Sequence, residues 1–188
     1  MFKKKVEFKG SSVVGGKTLK KLKSDAFNCF GVAEESVLQL FPHKTDIVLK
    51  KVAWGGSKVQ VYFAGDVPIL VDDGRGGIFP TVMGLWLSPD CLPFLVVAQP
   101  VSKFLCGSGA DLMLPGVRGM SAESIPQGTI VAVKVQGNPL PIAVGMCLFD
   151  PATAETREGK VVEVLQVYGD NLWELQSAQP NAGFVEGE

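Results

Sequence analysis

The sequence has a single histidine, His43, and no Cys-x-x-Cys pair among its four cysteines. A zinc site of two cysteines and two histidines cannot be assembled from that set. The scattered thiols of Cys29, Cys91, Cys106 and Cys147 argue against an all-cysteine site as well. A Ser-His or Cys-His mechanism would have to use His43. That residue sits between Pro42 and Lys44 with no nucleophile motif around any serine or cysteine. No apolar run approaches the ~18 residues of a membrane-spanning helix. The opening Met1-Phe2-Lys3-Lys4-Lys5 leads into no uninterrupted apolar stretch, so a cleaved secretory signal is not expected. Internal repeats and low-complexity tracts are also missing. These absences point to a cytosolic binding protein with reduced thiols, no metal, no cofactor and no catalytic activity.

What is present is ordinary for a folded chain: 188 residues, 46% apolar and 20% charged. That length accommodates one large domain or two small ones. The net charge of −1 hides an asymmetry. Residues 1–58 hold twelve lysines and five acids, a net of +7. The remainder holds six basic and fourteen acidic residues, a net of −8. A lysine cluster with few acids nearby suits a polyanion, although lysines also simply solvate small domains.

The chain reads as two segments. In the first, Lys5 to Phe8 suits a short strand, and Lys17 to Phe30 a helix. Leu19, Leu22, Ala26 and Phe30 recur at three- and four-residue spacing, which at about 100° per residue makes one stripe. Lys17, Lys20 and Lys21 fall near the opposite face and can gather without disturbing the core. A second helix is expected over Glu34 to Leu40, stopped by Pro42. Strands follow over Ile47 to Ala53 and Val59 to Phe63 around a Gly55-Gly56 turn, then over Pro68 to Val71. Thr81 suits the N-cap of a helix reaching Leu87. Pro89 and Pro93 bracket a boundary at Cys91-Leu92. The connection is short, so a fixed arrangement of the two segments is expected. In the second segment, strands are expected over Phe94 to Ala98, Ala110 to Leu114, Thr129 to Val135, Pro141 to Phe149 and Lys160 to Tyr168. A helix over Val101 to Cys106 follows Pro100. So many short strands joined by Gly and Pro turns suggest a small closed or nearly closed barrel. The fold class is thus α+β, with domains over 1–92 and 93–175 and a tail or linker over 176–188.

Gly107 to Val117 is the most informative stretch: glycines flank an apolar strand, and Pro115-Gly116 turns the chain. Exposed N–H groups at such a turn can bind phosphate, or the stretch is only a strand between two turns. Gly74-Arg75-Gly76-Gly77 lacks the Lys-Ser/Thr pair of a phosphate loop and reads as a turn. Trp86 suits a core and Trp173 a cap on the barrel. Trp54, beside Lys50-Lys51, is the tryptophan best placed to stack on a base.

Three stretches in this order and spacing resemble the core of a PUA domain: Gly109-Ala110-Asp111-Leu112-Met113-Leu114-Pro115-Gly116-Val117, Gly128-Thr129-Ile130-Val131-Ala132-Val133 and Pro141-Ile142-Ala143-Val144-Gly145. Met1-Phe2-Lys3-Lys4, Pro68-Ile69-Leu70, Phe79-Pro80-Thr81-Val82, Leu85-Trp86 and Pro89-Asp90-Cys91-Leu92-Pro93 resemble the domain that precedes PUA in ligatin-like translation factors. Asp170-Asn171-Leu172-Trp173 fits the same pattern. A short stand-alone relative, the malignant T-cell-amplified protein, is the second match within the class.

The resemblance implies a non-catalytic translation initiation and recycling module. It would bind the small ribosomal subunit through rRNA, and initiator or deacylated tRNA, as a monomeric fragment of a longer factor and without a membrane. The candidate RNA contacts are Lys17, Lys20, Lys21, Lys50 and Lys51 in the first segment. In the second they are Lys103, Gly109, Pro115, Gly116 and Arg118. One departure stands out: residues 94–175 carry five basic and eight acidic residues, a poor general platform for phosphates. The rRNA contact is therefore expected from the first segment, with the second relying on a local patch around Lys103 and Arg118. PUA domains also accompany RNA-modifying enzymes. An accessory fragment of such an enzyme is the rival reading, and a protein-interaction scaffold the third.

Overall fold

A computed structural model describes residue 2 and residues 5–54, 57–74, 77–156 and 158–175, apart from the side chains at 53, 54, 57 and 58. The turn at Gly55-Gly56, the Trp54 ring, Arg75-Gly76 and the 176–188 segment fall outside the described residues.

Two sheets form. The first has five antiparallel strands in sequence order: β1 (Phe8–Val13), β2 (Ile47–Trp54), β3 (Ser57–Ala64), β4 (Val67–Asp72) and β5 (Ile78–Pro80). β1 starts where the expected strand ends. Its burial pattern is almost wholly exposed, so it has no apolar alternation to read. It is defined instead by pairing with β2, with Val13 opposite Val48. β5, three residues long, was hidden inside the loop before Thr81.

Helix α1 (Gly16–Phe30) buries Leu22, Ala26 and Phe30, the stripe its spacing predicts. α2 (Glu34–Leu38) ends two residues earlier than expected. α3 (Val82–Leu87) is capped by Thr81, whose hydroxyl accepts the Gly84 N–H at 2.9 Å and donates to the Pro68 carbonyl at 2.6 Å. Five of its six residues are buried, because it packs against β4 on one side and against the second sheet on the other. Gly84 permits that approach. A Cβ there would collide with the Ile69 carbonyl.

The second sheet contains β6 (Phe94–Val97), β7 (Leu112–Met113), β8 (Val117–Met120), β9 (Ile130–Val135), β10 (Pro141–Cys147) and β11 (Lys160–Val167). Their order is β7-β11-β10-β9-β6-β8, with only β6 and β9 parallel. The two edge strands are neighbours in sequence, joined by a single 3-10 turn at Leu114–Gly116. So short a link holds the edges together and forces the sheet to curl into a nearly closed barrel. The expected strand over Ala110 to Leu114 is only two residues long. Its continuation, β8, is missed in the sequence because Arg118-Gly119 interrupts the apolar pattern. α4 (Gln99–Ser108) is longer than expected and buries Leu105.

One core runs through the junction. Ala132, Val144 and Leu172 cluster with residues of the first sheet, as do the buried Cys91 and Leu92. A second cluster fills the barrel. Between them Val82, Met83, Trp86 and Leu140 pack with Tyr168 and Trp173. Polar groups lock this seam. Gln166, only 2% exposed, accepts the Val82 N–H at 2.6 Å and donates to the Val167 carbonyl at 2.8 Å. The Trp86 indole N–H reaches the Pro141 carbonyl at 2.8 Å. Its ring stacks on Tyr168 and meets Trp173 edge-on at 4.8 Å. Asn171 donates its backbone and side-chain N–H groups to the Phe2 carbonyl, tying the two ends of the described chain together.

Candidate nucleic-acid interface

The first group of candidate residues divides by the faces of the first sheet. Lys17, Lys20 and Lys21 are exposed on α1, opposite the buried stripe. Lys21 is held by Asp25 one turn on at 2.6 Å, and that hydrogen bond raises its pKa. Among the described residues no ion pair is shown for Lys17 or Lys20. Asp72 adds to the rise at Lys21. Residues paired across an antiparallel ladder share a face. Lys51, opposite Gln60, which in turn pairs with Asp72, thus shares their face and is exposed. Lys50 points the other way. Its ammonium sits 4.0 Å from the centroid of Phe63 and 5.2 Å from that of Phe8, half-buried. The two adjacent lysines therefore do not act as one pair. Lys51 is open to solvent on the opposite face, and Lys50 covers aromatic rings.

The second group assembles around α4 and the turn that closes the barrel. Gly109 ends α4 in the left-handed conformation at φ 59°, and the Phe104 carbonyl accepts the cap N–H. Gly116 packs directly on α4. A Cβ there would lie 3.2 Å from a methyl of Val101. Pro115 is exposed beside it, and the Arg118 guanidinium folds back to donate to the Pro115 carbonyl at 2.7 Å. Lys103, two residues after Val101, is exposed on the same helix. Gly109, Pro115, Gly116 and Arg118 thus lie at the end of α4 and in the turn packed on it, whereas Lys103 is turned about 200° around the helix from Val101.

Other basic groups of the barrel are committed elsewhere. Lys160 pairs with Asp111 at 3.1 Å, and the same carboxylate accepts the Val164 N–H. Lys134 lies over the Phe94 ring at 4.1 Å and reaches Asp90 at 3.7 Å. A cavity of about 280 Å³ opens beside α4, lined by Phe2, Cys106, Gly107, Ser108, Gly109 and Asp170 among others. Burial pushes the Asp170 carboxyl above its usual range. It remains well satisfied, accepting N–H groups from Val167, Leu172, Trp173 and Gln166. Burial, aided by Asp170, lifts the Cys106 thiol to about 11.

Phe104 was missed by sequence reasoning. It is 66% exposed, although its apolar neighbours suggest a buried segment. Leu105 points inward, and at about 100° per residue Phe104 is turned away from it. A helical projection of α4 would have separated the two.

Comparison with known proteins agrees with this architecture. Residues 2–89 match the Pre-PUA-like domain family, and residues 92–171 match the PUA domain family of eIF2D. Eukaryotic translation initiation factor 2D of Rattus norvegicus is 36% identical over 92% of this chain. The match spans 31% of that protein, so the chain covers about a third of the length of these curated relatives. Translation machinery-associated protein 20 of Schizosaccharomyces pombe is 24% identical, covering 92% of this chain and 95% of its own length. The crystal structure of a PUA domain from Aeropyrum pernix superposes with a TM-score of 0.72 at 25% identity, over 88% of this chain and 90% of that one. With a Pre-PUA-like domain joined to a PUA domain of the eIF2D type, the chain is a homologue of translation initiation factor 2D and of the shorter translation machinery-associated protein 20.

Proposed function

We propose that this protein is a non-catalytic, cytoplasmic module of translation initiation or recycling that docks on the small ribosomal subunit through rRNA. In that setting it assists placement of initiator tRNA and release of deacylated tRNA after termination. Residues 1–92 act as the basic docking domain, residues 93–175 as the PUA domain, and 176–188 as the linker onward. The observation that carries the reading is the exposed lysine surface of α1, with Lys17, Lys20 and Lys21 on a Pre-PUA-like domain whose relatives are translation factors. Lysines on one helix face neutralise phosphates without sequence preference, as rRNA docking requires. Lys103 and Arg118 contribute further, smaller contacts.

Sedimentation with purified small ribosomal subunits across a salt series tests this. Saturable binding that weakens steeply with salt is expected. Replacing Lys17, Lys20 and Lys21 together by Glu should abolish it; unchanged binding by that variant would overturn the assignment of α1.

A further inference from the structure

A cleft of about 730 Å³ lies between the two sheets and shares no residue with the cavity beside α4. Three segments wall it: the C-terminal end of α1 from Asn28 to Val32, the connection from Asp90 to Phe94, and the loop that leads into β9. Its floor is apolar. Phe30 and Leu92 are buried there and belong to the core shared by both sheets. Val32, Pro93 and Phe94 are half-buried, which leaves apolar edges open to a ligand. Hydrogen bonds hold the walls. Gly31 closes α1 with its N–H on the Phe27 carbonyl. The Phe94 N–H donates to the Ser121 hydroxyl at 2.8 Å, and the Ser121 N–H to the Phe94 carbonyl at 2.9 Å. The Gly128 N–H donates to the Cys147 carbonyl, and the Cys147 N–H to that of Thr129. A cleft fixed in this way is formed before anything enters it.

Its charge is the reverse of the basic first segment. Among the described residues, Asp90 is the one charged side chain in the lining. The walls and the residues beside them, 28–35, 90–94 and 121–129, contain Glu34, Glu35, Asp90 and Glu123 and no lysine or arginine. All four acids are exposed. The last turn of α1 carries no base either, so the negative end of a fifteen-residue helix stands in the wall without a cation of its own. Lys134 touches the rim. Its ammonium lies over the Phe94 ring at 4.1 Å and 3.7 Å from an Asp90 oxygen, beyond hydrogen-bond length. The Lys134 side chain is 12% exposed and that of Asp90 84%, so a second cation can reach Asp90 from solvent. A nucleic acid is repelled by such a cleft, and a cation that carries apolar groups is attracted.

We infer that this cleft is the docking site for a positively charged peptide segment of a partner protein. Its arginine or lysine heads meet Asp90 and the C-terminal end of α1, and an apolar side chain covers Phe30 and Leu92. Helix α1 then serves two partners of opposite charge, a polyanion on its lysine face and a polycation at its C-terminal end. The site does not depend on rRNA docking.

The test uses the full chain and two fluorescein-labelled peptides, three repeats of Gly-Arg-Phe-Arg and three of Gly-Glu-Phe-Glu, with binding read by anisotropy. The wild type should bind the basic peptide and not the acidic one. Asp90→Lys should weaken the basic peptide ~3- to 10-fold, and Asp90→Asn by a smaller factor. The second variant keeps the side-chain shape and covers the case in which a new lysine beside Lys134 lowers stability. Glu158→Lys makes the same charge change on an exposed barrel loop outside the cleft and should leave binding within ~2-fold. Cys29, exposed in the cleft wall, supplies a second readout. Saturating basic peptide should suppress its alkylation by iodoacetamide, followed by mass spectrometry. Absence of binding by the wild type would overturn the inference. So would equal weakening by Asp90→Lys and Glu158→Lys, which would reduce the binding to overall charge, or unchanged alkylation of Cys29. None of these outcomes bears on sedimentation with ribosomal subunits, so either reading can fail while the other stands.

Discussion

The two sheets of this molecule use their basic residues in opposite ways. In the first, lysines are abundant, and α1 holds three of them on the face away from its buried stripe. In the second, cations are scarce and two are consumed internally, Lys160 by Asp111 and Lys134 by Asp90 and Phe94. The difference teaches that charge counts misjudge both halves. Lys50 belongs to the basic half by count, yet its ammonium sits over two aromatic rings. The acidic barrel nonetheless keeps Lys103 on α4 and Arg118 on β8 exposed. What matters for a polyanion is which cations remain exposed and share a face.

The comparison depends on the two halves being held as one body, and the largest expected effects come from breaking that. Gly84→Ala places a methyl against the Ile69 carbonyl, where backbone cannot yield. A loss of about 2–3 kcal/mol is expected, measured by urea denaturation. Gln166→Ala strips the buried Val82 N–H of its acceptor across the seam. It should cost about 1–3 kcal/mol. Calorimetry should then resolve two transitions, one for each sheet, in place of one. A single unsplit transition would show that the apolar contacts of Trp86 and Leu140 suffice to couple them.

Charge variants sharpen the contrast at smaller cost. Lys17→Ala and Lys20→Ala should each lower the salt slope of subunit binding by about one, and Lys51→Ala should do the same. Lys50→Ala should change the slope less and reduce stability instead, by about 0.5–1 kcal/mol, through the lost contact with Phe63.

Acid provides a finer probe of the seam. Burial raises the Asp170 pKa, so the folded state holds that proton more tightly than the unfolded chain does. The contribution of this group to stability therefore increases as pH falls through the raised value toward the ordinary one of 3.8. The Tm of the wild type should gain on that of Asp170→Asn between about pH 7 and about pH 4; a constant difference would refute the shift. Asp150 acts in the opposite sense. Its hydrogen bond to Ser124 lowers its pKa, so its share is present above the usual value and lost as pH falls through the lowered one. The smallest effect is in thiol labelling. Exposed Cys29 should be alkylated first, while Cys106, near 11, and Cys91, near 12, should react slowly until the protein unfolds.

Residue order alone determined a good deal. The stripe of Leu22, Ala26 and Phe30 specified α1 and its lysine face, because 3.6-residue periodicity is local information. Thr81 announced the start of α3, because a cap bonds to its own next turn. Short apolar, valine-rich runs between Gly and Pro turns marked β9, β10 and β11, and the resemblance of residues 109–117 to a PUA core indicated the barrel. Only the tertiary structure decided the rest. β1 and β8 carry little apolar pattern and exist through pairing with strands distant in sequence. The partition of Lys50 from Lys51 depended on which face of the sheet brings the Phe8 and Phe63 rings together. Gln166 gives no sign in the sequence of bridging to Val82, eighty-four residues away. The exposure of Phe104 followed from how α4 lies on the barrel, with Leu105 turned in. Contacts between distant residues depend on how surfaces meet after the chain has folded, and no local pattern of residues encodes that meeting.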